Sequence, residues 1–167
     1  MLHEFAEFAT KITADMGYFG IFILTTLEST ILPLPSEVVL LPAGYLCFKG
    51  QMSITLLIAV ASLGTLCGAL INYFLAFKLG RPFLLKYGKY FLMKEKTFFK
   101  TEEFFIKYGQ LSTFIGRLLP VVRHLISLFA GLYKMSLVKF ILYTSLGGFI
   151  WCTFLTLLGY FGGGYIA

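Results

Sequence analysis

The sequence predicts an all-α integral membrane protein with a single membrane domain over residues 1–167. Of these residues 58% are hydrophobic and only 13% are charged, whereas soluble domains carry about 25% charged residues. Residues 51–77 and 140–167 contain no Asp, Glu, Lys, Arg or His, and each stretch exceeds the ~20 residues that a spanning helix needs. Lysines and arginines concentrate between these stretches, which is typical of a cytoplasmic loop.

The net charge of +6 does not indicate a nucleic-acid partner. The basic residues lie in a loop between apolar segments, as the positive-inside rule describes, and do not form one face of a soluble fold. The three cysteines, Cys47, Cys67 and Cys152, are far apart and no CxxC motif occurs. They are interpreted as small residues that pack within the membrane, so the sequence predicts no metal and no cofactor.

The first predicted element is an amphipathic helix over residues 2–16. Apolar side chains recur there at helical spacing, at Leu2, Phe5, Phe8, Ile12 and Met16. Acidic and basic residues occupy most of the other side, as in a helix that lies in the membrane interface. The same pattern also fits an N-terminal helix packed on the bundle, and both interpretations stay open at this point.

The next apolar region, residues 17–48, is interrupted by charge and by proline. Glu28 lies near its middle, and Pro33 and Pro35 break any helix because proline lacks a backbone N–H. The two arms, roughly 18–31 and 36–48, are too short to cross ~30 Å at about 1.5 Å per residue. They predict a re-entrant hairpin, with the Ser36 hydroxyl and the Glu37 carboxylate suited to the N-terminus of the second arm.

The remaining elements follow the same plan. A spanning helix over residues 52–77 contains Gly64-x-x-x-Gly68, which lets another helix approach closely. The cytoplasmic connector, about 82–107, is predicted to hold two short amphipathic helices, one beginning at Pro82 and one capped by Thr97. Residues 108–133 form a second hairpin around Pro120, and residues 140–166 span again, with Trp151 inside.

An internal repeat relates the two halves, about 16–81 and 108–164. Leu32-Pro33 matches Leu119-Pro120, and Ala43-Gly44 matches Ala130-Gly131, both at an offset of 87. Further along the offset is 83, as in Met52-Ser53 and Met135-Ser136. Because one hairpin plus one spanning helix crosses the membrane once, the second copy must be inserted upside down. The sequence therefore predicts an inverted repeat like that of secondary transporters.

The two hairpins carry opposite charges. The first contributes Glu28 and Glu37, and the second contributes Arg117 and Arg123, with His124 next to the latter. If the hairpins meet, two carboxylates and two guanidinium groups form one cluster at depth. Such ion pairs can be purely structural, but arginine also matches phosphate oxygens and a carboxylate in a membrane cavity can carry protons. We expect Arg117 and Arg123 to bind phosphate and Glu28 and Glu37 to couple protons, with His124 left without a firm role.

At these residues the chain resembles the DedA family of bacterial membrane proteins, also called SNARE-associated or VTT-domain proteins. The matching positions include Glu28, Pro33-x-Pro35-x-Glu37, Ala43-Gly44, Gly64-x3-Gly68, Phe114-x2-Arg117-x2-Pro120-x2-Arg123-x3-Ser127-x2-Ala130-Gly131, Trp151 and Gly159-Tyr160. The chain has Ala69 where many members carry an aspartate, and many members continue into a further spanning helix beyond the position of Ala167.

This resemblance implies recycling of undecaprenyl phosphate, the lipid carrier of cell-wall synthesis, across the bacterial inner membrane. It also implies a link to the proton-motive force, and the family's functional acids and arginines look like Glu28, Glu37, Arg117 and Arg123. The expected partners are an anionic lipid, protons and membrane lipids, and the glycine-rich spans are compatible with a homodimer.

The leading hypothesis is therefore a proton-coupled translocase of undecaprenyl phosphate, and no enzyme. Two alternatives are also transporters: a proton-coupled exporter of small molecules or drugs, and an uncoupled phospholipid scramblase. An intramembrane lipid phosphatase is suggested only by Arg123-His124. That enzyme needs a second histidine or a metal cluster at depth, and the other histidine is His3 near the N-terminus.

Overall fold

A computed structural model of the protein describes residues 2–30, 35–88, 94–119 and 122–166. Within these ranges the chain is entirely helical, as the sequence predicts. Its helices are α1 (Leu2–Met16), α2 (Tyr18–Ser29), α3 (Glu37–Phe48), α4 (Ile54–Gly88), α5 (Glu95–Tyr108), α6 (Leu111–Arg117), α7 (Arg123–Leu132) and α8 (Leu137–Ile166). The predicted helix breaks at Pro33 and Pro120 lie outside the described residues.

Helices α4 and α8 are the two that are long and apolar enough to cross a membrane. The qualifying segments are Ile54–Lys86 and Leu137–Gly163, and only 33% of the most apolar part of each is buried inside the protein. The outward faces carry large apolar side chains such as Leu63 and Phe154, which suits contact with lipid. These helices correspond to the two predicted spans.

The predicted hairpin arms are helices too short to span. Helices α2 and α3 have 12 residues each, α6 has 7 and α7 has 10. A spanning helix needs about 20 residues, so none of the four crosses a bilayer alone. Whether each pair of arms returns to its starting side of the membrane stays a prediction.

The hairpin helices pack on both spanning helices. Helix α2 contacts α4 and α6 contacts α8, while the second arms cross over, so that α3 contacts α8 and α7 contacts α4. Glycines permit the close contacts of α2 with α4 and of α6 with α8. A Cβ added to Gly64 of α4 would lie 2.8 Å from the Phe22 carbonyl oxygen of α2, and one added to Gly147 of α8 would lie 2.7 Å from the Arg117 Cβ of α6. The predicted close approach at Gly64 is present.

The crossing contacts also rest on glycines at matched positions. A Cβ on Gly44 of α3 would overlap the Thr156 carbonyl oxygen of α8, and a Cβ on Gly131 of α7 would overlap the Tyr73 carbonyl oxygen of α4. Backbone meets backbone at both places, so any larger residue there forces the helices apart. The two hairpins are thereby held against the same pair of spanning helices.

Helix α1 packs on the bundle at its C-terminal end. Ile12 contacts the small core around Leu24 and Val39, and a Cβ on Gly20 of α2 would lie 2.7 Å from the Ile12 Cγ2 atom. Phe8 and Met16, on the other hand, are 54% and 46% exposed. The interpretation as a packed N-terminal helix therefore holds for Ile12, while the exposed side chains suit a helix in the membrane interface.

In the connector, the predicted helix N-cap at Thr97 is wrong. Helix α5 begins at Glu95, because Lys94 before it has extended backbone and an acid in the first turn favours the helix dipole. Thr97 lies inside this helix and does not cap it. The structure agrees with the prediction of a helix that begins at Pro82. Helix α4 is broken at Gly80, with φ 70° and ψ −171°, and Pro82 lies in the first turn of the segment that follows.

Candidate functional site

The centre of the candidate site is a buried ion pair between the two hairpins. The Arg123 Nη2 atom lies 2.7 Å from the Glu28 Oε1 atom, and the two side chains are only 4% and 2% exposed. Glu28 is in the last turn of α2 and Arg123 is the first residue of α7. The structure thus brings together one predicted acid and one predicted base that are far apart in the sequence.

The Ser36 hydroxyl links the members of this pair. It donates a hydrogen bond to Glu28 Oε1 and accepts one from Arg123 Nη1. The Trp151 Nε1 atom of α8 lies 3.4 Å from the Ser36 hydroxyl oxygen. The Arg123 guanidinium lies 5.6 Å from the Trp151 ring centroid. Arg123 therefore has an acid, a hydroxyl and an aromatic face as partners.

The prediction that the Ser36 side chain caps α3 is wrong. The sequence pattern predicts a cap for α3 there, but Ser36 has αR backbone and makes no capping hydrogen bond with its side chain. A hydroxyl between a carboxylate and a guanidinium forms charge-assisted bonds, which are roughly twice as strong as neutral ones. The capping pattern alone therefore does not predict the contacts of Ser36 with Glu28 and Arg123. The position of Ser36 in the Pro33-x-Pro35-Ser36-Glu37 motif is the signal that points to the candidate site.

Arg117 is buried beside this pair but belongs to no ion pair among the described residues. It is 2% exposed, and its Nη2 atom donates to the Ser127 hydroxyl at 2.6 Å. Its Nε and Nη1 atoms have no hydrogen-bond partner in the described part of the chain. It lies close enough to Arg123 to be repelled and to Glu28 to be attracted. Arg117 is therefore a buried cation with two free donors.

Of the predicted cluster of two acids and two arginines, the structure shows one direct ion pair, between Glu28 and Arg123. Glu37 is half-buried and, among the residues that the structure describes, it forms no hydrogen bond or ion pair. Its negative charge nevertheless lies near enough to act on Glu28. Successive residues point about 100° apart around a helix. Because Ser36 points into the pair, Glu37 beside it points elsewhere. The two hairpins therefore meet through one direct ion pair, with Arg117 buried beside it and Glu37 nearby.

His124 does not join the ion pair either. It follows Arg123 on α7 and is half-buried, and its Nδ1 atom has no partner in the described ranges. The same rotation of about 100° per residue turns its ring away from Glu28. His124 therefore stays without an assigned role.

The site carries more buried positive than negative charge. Glu28 compensates Arg123, whereas Arg117 has only a neutral hydroxyl. A buried charge without a partner is unfavourable by several kcal/mol, roughly 2.5–3.5 on insertion scales for a helix centre. An anion that accepted hydrogen bonds from the Nε and Nη1 atoms of Arg117 would remove this penalty. The geometry is thus able to accept a negatively charged ligand.

Comparison with known proteins identifies the family. The model of the VTT domain matches residues 34–161, which include Ser36, Arg117, Arg123 and Trp151. No solved structure matches the chain.

Three curated relatives bear on the function. An uncharacterized membrane protein of Bacillus subtilis, YbfM, is 38% identical over 87% of this chain and 90% of its own length. Undecaprenyl phosphate transporter A of Bacillus subtilis is 37% identical over 92% of this chain and 75% of its length. An alkaline phosphatase-like protein of Lactococcus lactis is 35% identical over 92% and 74%. The chain belongs to the VTT-domain (DedA) family of bacterial membrane proteins.

Proposed function

We propose that the protein translocates an anionic lipid phosphate, undecaprenyl phosphate, across the plasma membrane, with Arg117 as its first phosphate ligand. The observation that carries this proposal is the pair of free donors on a buried Arg117. A guanidinium offers a planar fork to two phosphate oxygens, and a relative that is 37% identical over 92% of this chain is named for this lipid. A neutral or cationic substrate would leave the Arg117 charge uncompensated.

Arg123 is the second phosphate ligand, and the phosphate competes with Glu28 and Ser36 for its guanidinium group. To reach a phosphate at Arg117, it gives up part of its contact with Glu28 and Ser36. Glu28 is then left as a carboxylate without its cation in an apolar region, a state that proton binding neutralises. Phosphate binding and proton uptake are therefore coupled through one ion pair. Glu37, half-buried beside this pair, exchanges the proton with water.

The two halves act as an inverted repeat around this site. Each half supplies two short helices and one long one, and the second arm of each half packs on the long helix of the other. Gly44 and Gly131 correspond at an offset of 87, and their contact residues, Thr156 and Tyr73, correspond at an offset of 83. Such paired contacts support two equivalent arrangements, one open to each side of the membrane.

The phosphatase alternative follows from the name of the Lactococcus relative. The candidate site offers little for that chemistry, since His124 lies beside two arginines and its ring is turned away from Glu28. A drug exporter would use Glu28 and Glu37 and needs the arginines only as their partners. The free donors of Arg117 favour the anion carrier over both.

Transport into liposomes tests the proposal. Purified protein is placed in vesicles that contain labelled undecaprenyl phosphate, and movement between leaflets is followed with and without a pH gradient. We expect the gradient to accelerate movement, and we expect unlabelled undecaprenyl phosphate to compete where phosphatidylethanolamine does not. Equal rates with and without the gradient would reduce the function to an uncoupled scramblase. Release of inorganic phosphate would identify a phosphatase, and no movement at all would reject the proposal.

A further inference from the structure

A groove lies between α4 and α8 on the side that faces lipid. It has a volume of about 360 Å³, within the range of roughly 300–1,000 Å³ typical of ligand pockets. Its lining has no charged residue, and it includes two serines, Ser62 and Ser145. The Ser62 hydroxyl oxygen is buried and has no hydrogen-bond partner in the part of the chain that the structure describes.

The groove is built from equivalent positions of the two halves. Its lining contains three pairs that are each 83 residues apart, namely Ser62 with Ser145, Leu63 with Leu146, and Leu66 with Phe149. This is the offset that relates Met52-Ser53 to Met135-Ser136. A molecule in the groove therefore meets one serine and one leucine of equivalent positions from each half. That property suits a ligand handled alike from both leaflets.

The groove and Arg117 lie at the same level of α8. Gly147 contacts Arg117 on the hairpin side, while its neighbour Leu146 lines the groove. Between α4 and α8 the contacts are made by small side chains. A Cβ on Gly148 would lie 3.3 Å from the Thr65 Cγ2 atom, and the Thr65 hydroxyl lies 3.7 Å from the Cys152 sulfur. These small residues form a seam between α4 and α8 next to the groove.

We infer that the groove binds the hydrocarbon chain of the lipid whose phosphate binds Arg117, and that the head group enters across the seam between α4 and α8. The inference rests on the proposed function. The apolar lining suits an isoprenoid chain, and the level of the groove leaves that chain in the bilayer while its phosphate reaches the site.

The size of the groove argues against a protein occupant. A stable interface with a second copy needs about 800 Å² from each partner, and an α-helix is roughly 10–12 Å wide. Four residues of α4 and three of α8 form a slot that is much smaller than this. A single hydrocarbon chain is thin enough to fill it.

Tryptophan substitutions test the groove directly. Leu63→Trp and Leu146→Trp fill it, while Leu56→Trp and Leu158→Trp add the same bulk elsewhere on the lipid-facing surfaces of the same helices. The matched leucines are similarly exposed, at 56%, 56%, 54% and 48% respectively. We expect the two groove variants to lower the rate of undecaprenyl phosphate movement by about tenfold or more, and the two controls to keep it near the wild-type rate.

A photoreactive undecaprenyl phosphate in vesicles of phosphatidylglycerol and phosphatidylethanolamine provides the second measurement. Labelling of the α4 and α8 residues around Leu63 and Leu146 should be competed by unlabelled undecaprenyl phosphate and not by excess phosphatidylglycerol. Competition by both lipids, crosslinking of these residues to a second copy of the chain, or equal transport by all four variants would overturn the inference. If the wild-type protein moves no undecaprenyl phosphate, the proposed function itself fails.

Discussion

Arg117 and Arg123 are six residues apart and almost equally buried, yet their surroundings differ. Arg123 contacts Glu28, Ser36 and Trp151, which come from α2, the start of α3 and α8. Arg117 contacts the Ser127 hydroxyl of its own hairpin and keeps two donors free. One arginine therefore holds the two hairpins together, and the other is open to a ligand. In the proposed function Arg123 thus has two tasks, the ion pair and phosphate binding, whereas Arg117 has only the second.

The largest expected effect is on transport by an Arg117 variant. Arg117→Met removes the free donors, and we expect undecaprenyl phosphate movement to fall by roughly 100-fold or more, as for loss of a buried charged contact. Because Arg117 has no ion pair to lose among the described residues, the melting temperature should stay the same or rise. The matched control is Arg81→Met, which removes an arginine that is 45% exposed and paired with Glu102. Equal loss of transport in both variants would contradict the role assigned to Arg117.

Arg123→Met should instead reduce stability strongly. It leaves Glu28 buried without its cation, and breaking a buried pair from one side costs about 3–5 kcal/mol. The double variant Glu28→Gln with Arg123→Met should recover most of this stability, since no buried charge is then left unpaired. Denaturant unfolding in detergent gives both values. Transport should remain lost in the double variant, and its recovery would show that Arg123 serves only the fold.

The contrast between these arginines can be predicted from the sequence only in part. The two spans follow from unbroken apolar stretches, and the hairpin arms follow from prolines and short lengths. Charges inside apolar segments are enough to single out Glu28, Arg117 and Arg123 as candidate site residues. Which acid meets which arginine is not predictable in this way, because residues 28 and 123 are 95 apart and their contact depends on how two hairpins meet.

The errors have a common physical cause. At Ser36 a local helix-capping pattern competes with charged groups from another hairpin, and the charged groups are the stronger partners. For Glu37 the expected contact fails because neighbouring residues on a helix cannot point in the same direction. Local patterns thus locate the candidate site, while tertiary contacts decide the partner of each side chain.

Smaller effects should separate the two serines. Ser36→Ala removes a hydroxyl that bonds to both members of the ion pair, and we expect a loss of about 1–3 kcal/mol in unfolding free energy. Ser127→Ala removes a single bond to Arg117, whose other donors are already free, so its loss should lie nearer 1 kcal/mol. Conversely, Ser127→Ala should weaken phosphate binding more than stability, because Ser127 orients the free arginine. A larger stability loss in Ser127→Ala would reverse the assigned roles.

The smallest structural effect is expected at Glu37. Because this half-buried acid has no hydrogen bond or ion pair among the described residues, Glu37→Gln should change unfolding free energy by no more than about 0.5 kcal/mol. If Glu37 exchanges the proton with water, the variant should nevertheless respond less to a pH gradient, while its transport without a gradient stays near the wild-type rate. Glu28→Gln is the informative partner, since it removes the gradient response and also breaks the ion pair with Arg123. An undiminished gradient response in Glu37→Gln would confine proton coupling to Glu28.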